Sequence, residues 1–275
     1  MNFKLRAMDI IVSLSFRRVL LLSVLLCLCA CASGKDDDED SGLDSFSYNA
    51  CDELGTGETP KLIGGELCIA GNSPVLKVVV SNSLGESRHC TGTAIDERHA
   101  ITSARCVDGM SKLFLDSGVS YVKVSKVMKH PDYKFKNGEP NEFNLAVLEA
   151  GGKLKLRTLP ILASRRAVSG EEGLVAGYGV AEDHVTGLFR TGNSFVTGIS
   201  EDFIRIHHAG RGSDPTAGDF GGPLFLNHNG TFGVAGILVG TSKLVPDNGV
   251  HTYLNLENPE LRSWIISKVE DTAVL

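Results

Sequence analysis

The chain has 275 residues, enough for one or two ordinary domains, and 42% apolar against 22% charged content gives it the material for a core. A formal net charge of −6 excludes the basic footprint of a nucleic-acid binder. Thirty-one Gly and a single Trp suit a turn-rich, all-β architecture more than a helical one.

The N-terminus comes first and is set aside from the fold. Lys4, Arg6, Arg17 and Arg18 precede an apolar run from Val19 to Ala30, which is short for a membrane span and reads as a secretory core segment. It ends in Leu28-Cys29-Ala30-Cys31, which resembles the lipobox of bacterial lipoproteins, with Cys31 as the lipidated residue. Cleavage without lipidation would release the chain instead. Two or more acyl chains on Cys31 would anchor it stably, where one binds only marginally. Ala32 after Cys31, rather than Asp, favours the outer membrane. Asp36-Asp37-Asp38-Glu39-Asp40 cannot bury itself and reads as a solvated tether. Residues 1–30 are thus expected to be signal peptide and 31–61 an acidic tether and pro-segment.

Beyond the signal region lie Cys51, Cys68, Cys90 and Cys106, an even number in an exported chain. That favours disulfides over metal, with three possible connectivities. No Cys-x-x-Cys pair occurs in the folded part, so no zinc site is expected.

From Leu62 onward, short apolar segments alternate with turn residues. Val75–Val80, Thr91–Ile95, Tyr121–Val127, Leu145–Leu148, Gly173–Ala176, Phe203–Ile206 and Leu224–Leu226 read as strands. Asn229-Gly230 between Leu224–Leu226 and Phe232–Val239 is a strong hairpin signal. The one helical pattern starts at Asn258-Pro259 and runs through Ile266. Many strands and one terminal helix point to barrels or a sandwich.

Five segments, in order, resemble the chymotrypsin/trypsin family of serine proteases. Leu62-Ile63-Gly64-Gly65 is similar to the N-terminus that zymogen cleavage creates. Cys90-Thr91-Gly92-Thr93-Ala94-Ile95 with Ala100-Ile101-Thr102-Ser103-Ala104-Arg105-Cys106 resembles the strand pair and turn that carry the catalytic His. Asn144-Leu145-Ala146-Val147-Leu148 resembles the segment that begins with the catalytic Asp. Gly177-Tyr178-Gly179 and Gly218-Asp219-Phe220-Gly221-Gly222-Pro223-Leu224 resemble the family's Gly-Trp-Gly and Gly-Asp-Ser-Gly-Gly-Pro. The terminal helix with Trp264-Ile265 fits too. The resemblance implies two six-stranded antiparallel β-barrels over 62–275, a C-terminal helix, a Cys90–Cys106 bridge, and no cofactor.

The chemistry departs from the pattern at all three reacting positions. The family uses a Ser nucleophile, a His base and an orienting carboxylate. Phe220 has no lone pair, Arg105 stays protonated, and Asn144 carries no charge to stabilise an imidazolium. The resemblance places an oxyanion hole on the backbone N–H groups of Gly218 and Phe220, with the Phe220 ring expected where a scissile carbonyl would lie. Asp219 matches the acid that receives a freed N-terminal amine. Two readings stand: cleavage after Lys61 pairs the Leu62 amine with Asp219, or backbone N–H groups hold Asp219 in an uncut chain. Asp214 falls where trypsin-like members bind a Lys or Arg side chain, although Thr216 and Val239-Gly240-Thr241 depart from the family nearby; a solvated loop Asp is the alternative. Cys68 has no counterpart in the barrels, which leaves Cys51 as its partner across Lys61-Leu62. Ser213, His99, His207 and His208 offer no convergent substitute for the triad. The expectation is a non-catalytic protease homologue that binds a protein partner and, through Cys31, a lipid membrane, with no nucleic acid. A weak or atypical hydrolase and a purely structural surface lipoprotein are the alternatives.

Overall fold

The computed structural model describes residues 66–67, 73–135, 141–180, 185–207, 215–243, 249–269 and 272–275. The expected barrels are both present. The first closes from β2 (Val75–Ser81), β3 (Ser87–Ala94), β4 (His99–Thr102), β5 (Lys112–Asp116), β6 (Tyr121–Lys129) and β7 (Ala146–Ala150), in the order β2-β3-β4-β7-β6-β5. The second contains β8 (Glu172–Gly177), β9 (Arg190–Ile199), β10 (Phe203–His207), β11 (Pro223–His228), β12 (Thr231–Lys243) and β13 (Gly249–Asn255). Its order β9-β10-β13-β12-β11-β8 closes through the β8–β9 pairing, and β1 (Glu66–Leu67) adds to β9. Closure leaves neither barrel with an open edge.

The period-2 alternation of a strand decides which core each side chain joins. On β7, Ala146, Leu148 and Ala150 fill the first barrel, while Leu145 (just before β7) and Val147 turn outward. On β11, Leu224 and Leu226 fill the second barrel and Phe225 faces out. The outward residues of both barrels meet in a third cluster: Val75, Ile101 and Val147 from one, Leu174, Phe225 and Ile237 from the other. Strands buried on both faces read as unbroken apolar runs, which is why Leu145–Leu148 and Leu224–Leu226 are legible in the sequence.

Local chemistry behaves as its residues dictate. Asn229 and Gly230 both take positive φ, +52° and +84°, as a tight hairpin turn requires. The terminal helix, α2 (Pro259–Lys268), follows a four-residue α1 (Ala104–Val107) in chain order. Asn258 caps α2, its Oδ1 accepting from the Glu260 and Leu261 N–H groups at 2.9 and 3.4 Å. Leu261 and Ile265 bury into the layer between the barrels.

Trp264 of α2 lies against His130, 5.0 Å between rings, and His130 stacks on Phe143 at 4.7 Å. Burial lowers the His130 pKa below 6.5, opposed by Asp132 and Glu260 and helped by Lys268. Folding therefore favours neutral His130. Its contribution is complete above about pH 6.5 and is lost as pH falls toward the lowered value. His130→Phe keeps the ring stack and removes the titration. Thermal melts of the variant at about pH 5 and 8 are expected to lie closer together than those of the parent; an unchanged gap would show that the ring does not titrate on unfolding.

Candidate active site

The turn after β4 is held from two sides. Cys106 is bridged to Cys90 of β3, with the two Cα atoms 6.1 Å apart, as the resemblance implied. From the other side, buried Asn144 accepts two hydrogen bonds on Oδ1, from the Ser103 hydroxyl at 2.9 Å and the Arg105 N–H at 2.8 Å. The Ala104 N–H donates to the Asn144 carbonyl at 3.3 Å. Asn144 thus positions the Arg105 backbone. The Arg105 side chain turns outward, between buried Ala104 and Cys106, and is exposed. Its guanidinium carbon lies 5.4 Å from the Phe220 ring centre and 5.9 Å from that of Phe135. The fold therefore gathers Arg105, Asn144 and Phe220, which stand 39 and 76 positions apart along the chain.

The Gly218–Leu224 segment belongs to the second barrel and is anchored to the first by Thr91. The Thr91 N–H donates to the Phe220 carbonyl at 3.0 Å, and its hydroxyl donates to the Gly218 carbonyl at 2.9 Å. Gly221 has φ +84°, and a Cβ on it would lie 2.1 Å from Thr102 Oγ1. The tight passage between the barrels thus requires glycine there.

Asp219 is buried. Its Oδ1 accepts from the Gly179 N–H at 2.7 Å, and its Oδ2 from the Thr216 N–H at 2.8 Å and hydroxyl at 3.2 Å. Cβ atoms on Gly177 and Gly179 would lie 2.0 and 2.1 Å from this carboxylate. Gly177-Tyr178-Gly179 is therefore the cradle of Asp219. Burial pushes the Asp219 pKa up, while the bonds from Thr216 and Gly179 and nearby His89 push it down. Two of its donors are thus backbone N–H groups, those of Gly179 and Thr216. Leu62, Lys61, Cys51, Cys68 and Cys31 lie outside the described residues, as do Asp214, Ser213 and His208. The pairing of Leu62 with Asp219, the Cys51–Cys68 bridge and the Asp214 pocket are thus not seen.

The Phe220 ring is partly buried against the first barrel's interior cluster, which includes Cys90, Ala104 and Cys106. The ring stands beside the Arg105 guanidinium. The apolar wall there removes more ring surface from water than an open cleft would. The Ala217 carbonyl accepts from Val180 N–H at 3.2 Å and the Asp219 carbonyl from Gly222 N–H at 2.8 Å. In trans peptides the next N–H groups, those of Gly218 and Phe220, face the opposite way. Neither donates to another described residue.

His99 Nδ1 pairs with Asp96 at 2.7 Å on the β3–β4 turn, and His207 ends β10 opposite Val250. Among the described residues, His130, Asp132 and Glu260 bring one potential ligand atom each within 4.8 Å of one another. That group includes none of the triad positions. Sequence reasoning missed Thr91, Ser103 and Phe135. Thr91 and Ser103 read as ordinary members of a strand and a turn, and no spacing rule brings Phe135 to Arg105.

The family profile described as Trypsin matches residues 62–265. The chain is 23% identical over 213 residues to vitamin K-dependent protein C of Mus musculus, and 24% identical over 213 residues to that of Rattus norvegicus. Each match covers 65% of this chain and 46% of the relative, so the chain spans about half the length of the curated relatives it matches. Two closed antiparallel barrels, a bridged turn and a glycine-cradled aspartate define a serine-protease scaffold. The chain belongs to the trypsin family of serine proteases.

Proposed function

We propose that this trypsin-family chain is non-catalytic and acts by binding a protein, held at a bacterial envelope by lipid on Cys31. The observation that carries the reading is the trio at the reacting centre. Phe220 offers no nucleophile, and Arg105 is a permanent cation whose side chain rests on two aromatic rings. Asn144 spends its amide oxygen on the Ser103 hydroxyl and the Arg105 backbone, not on a base. The surrounding shell is nevertheless kept: the bridge, the Asp219 cradle and the Gly221–Gly222 passage. A shell preserved around a disarmed centre suits recognition of a protease, an inhibitor or an envelope component. No cofactor enters this reading.

The test is hydrolysis of a mixed panel of peptide amides by the full chain, before and after nicking with trypsin. Binding and amide donors alone give about 10³–10⁴-fold over water, so rates at or below that level are expected. Turnover near 1 s⁻¹, the lower end of ordinary enzymes, would overturn the reading.

A further inference from the structure

We propose that His130, Asp132 and Glu260 form a binding site for one divalent transition-metal ion of the zinc class, which ties the first barrel to the terminal helix. The inference goes beyond the non-catalytic reading and does not depend on it. Three observations carry it.

The ligand set comes together from distant parts of the chain. His130 directly follows β6 of the first barrel, Asp132 stands two residues on, and Glu260 lies in the first turn of α2. Each brings one potential ligand atom, and the three atoms lie within 4.8 Å of one another. The His130 nitrogen nearest Asp132 is Nδ1, 3.8 Å from Oδ2. Two ligand atoms held about 2.1 Å from a tetrahedral ion stand about 3.4 Å apart. Both carboxylates belong to exposed residues and are free to turn and close that difference. One imidazole with two carboxylates suits zinc and its first-row neighbours, whereas magnesium takes oxygen ligands.

His130 is built into the fold and is not a stray surface histidine. Its side chain is only 3% exposed. Phe143 stacks on the ring at 4.7 Å and Trp264 packs on it at 5.0 Å, which fixes its orientation. Trp264 follows Glu260 by four residues, so both share one face of α2. The packing of Trp264 on His130 thereby brings Glu260 to the imidazole. Nδ1 accepts one long hydrogen bond, from the Asp132 N–H at 3.3 Å, and Nε2 makes none with a described residue. An accepting Nδ1 carries a lone pair and no proton. That lone pair and the Asp132 carboxylate oxygen repel each other unless a cation stands between them.

No protein cation takes that place. Neither Asp132 nor Glu260 pairs with a Lys or Arg among the described residues. Lys268, the cation closest along α2, lies over the Trp264 ring instead, 5.9 Å from its centre. The lack of a Cys-x-x-Cys pair speaks only to thiolate sites, and no spacing rule joins positions 130 and 260, so this group leaves no mark in the sequence.

The experiment uses the full chain, stripped with a chelator and dialysed, then titrated calorimetrically with Zn²⁺ and separately with Mg²⁺. One equivalent of Zn²⁺ is expected to bind, and Mg²⁺ is expected not to. Zn²⁺ at about a hundredfold excess over its Kd should raise the melting midpoint by roughly 5–10 °C. Asp132→Asn and Glu260→Gln are exposed changes of the same size. Each should weaken Zn²⁺ binding by at least about tenfold, with the metal-free midpoint within about 2 °C of the parent's. His99→Gln removes an imidazole paired with Asp96 elsewhere and should leave Zn²⁺ binding unchanged. No binding of Zn²⁺, binding that survives both carboxylate changes unweakened, or an equal response to Mg²⁺ would overturn the proposal. None of these outcomes touches the non-catalytic reading, which stands or falls on hydrolysis.

Discussion

Restoring Arg105→His, Asn144→Asp and Phe220→Ser together is expected to raise kcat/KM for peptide amides by about 10⁴-fold or more over the parent, while each single restoration stays at the parent's level and the Arg105→His, Phe220→Ser pair gains at most about 10²-fold. The argument is one of interdependence. A Ser without a base keeps its proton, and a base without a nucleophile has nothing to activate. Loss of the Ser or the His costs nearly as much as loss of all three, and loss of the carboxylate somewhat less, so partial repair returns little. Full repair has a frame to work in. The oxygen at position 144 already receives the Arg105 N–H and the Ser103 hydroxyl, and an Asp there would keep both acceptor contacts. The turn stays tied by Cys90–Cys106, and the Phe220 carbonyl stays bonded to Thr91. Removing the Phe220 ring frees the face of Arg105 that it covers, where an imidazole would stand. A triple variant as inert as the parent would place the defect beyond the triad, in the Val239-Gly240-Thr241 stretch of β12.

The second large effect concerns Asp219. Asp219→Ala leaves the buried N–H groups of Gly179 and Thr216 without an acceptor, at about 1–3 kcal/mol each. For a domain of this size each kcal/mol moves the melting midpoint by about 2–4 °C, so a fall of roughly 5–20 °C is expected. Gly179→Ala reaches the same end from the other side, because its Cβ would lie 2.1 Å from Asp219 Oδ2 and 2.4 Å from Thr216 Oγ1. Gly230→Ala is the control. Gly230, unlike Gly179, has positive φ, +84°, but nothing lies within 4 Å of its added Cβ, so only a backbone cost of about 1–2 kcal/mol arises. Melts of the three variants check the order. If Gly179→Ala were no worse than Gly230→Ala, the cradle would be a loose fit and not a structural joint.

How much of this is legible in the sequence depends on which physical signal each element leaves. Strands with apolar residues on both faces announce themselves, as Leu145–Leu148 and Leu224–Leu226 do. β9 does not, because Thr191, Asn193 and Ser194 are polar yet buried, and Gly192 and Gly198 mimic turns. β13 is masked in the same way by buried His251 and Thr252. Their polar side chains enter the second barrel or its seams, where only tertiary contacts decide burial. At the site, the residue types at 105, 144 and 220 can be read directly from motif position. Their mutual geometry cannot. That Phe220 packs against the first barrel's core cluster depends on apolar residues distant from it in sequence. The reason for Gly177 and Gly179 also appears only once the Asp219 carboxylate is seen between them.

The most direct test of the central claim is labelling of the unmodified chain, uncut and trypsin-nicked, with a fluorophosphonate probe that reacts only with activated serines. The account predicts no labelled peptide in either form, because the position that would carry the nucleophile is Phe220. Stoichiometric labelling of any serine, mapped by mass spectrometry, would contradict it.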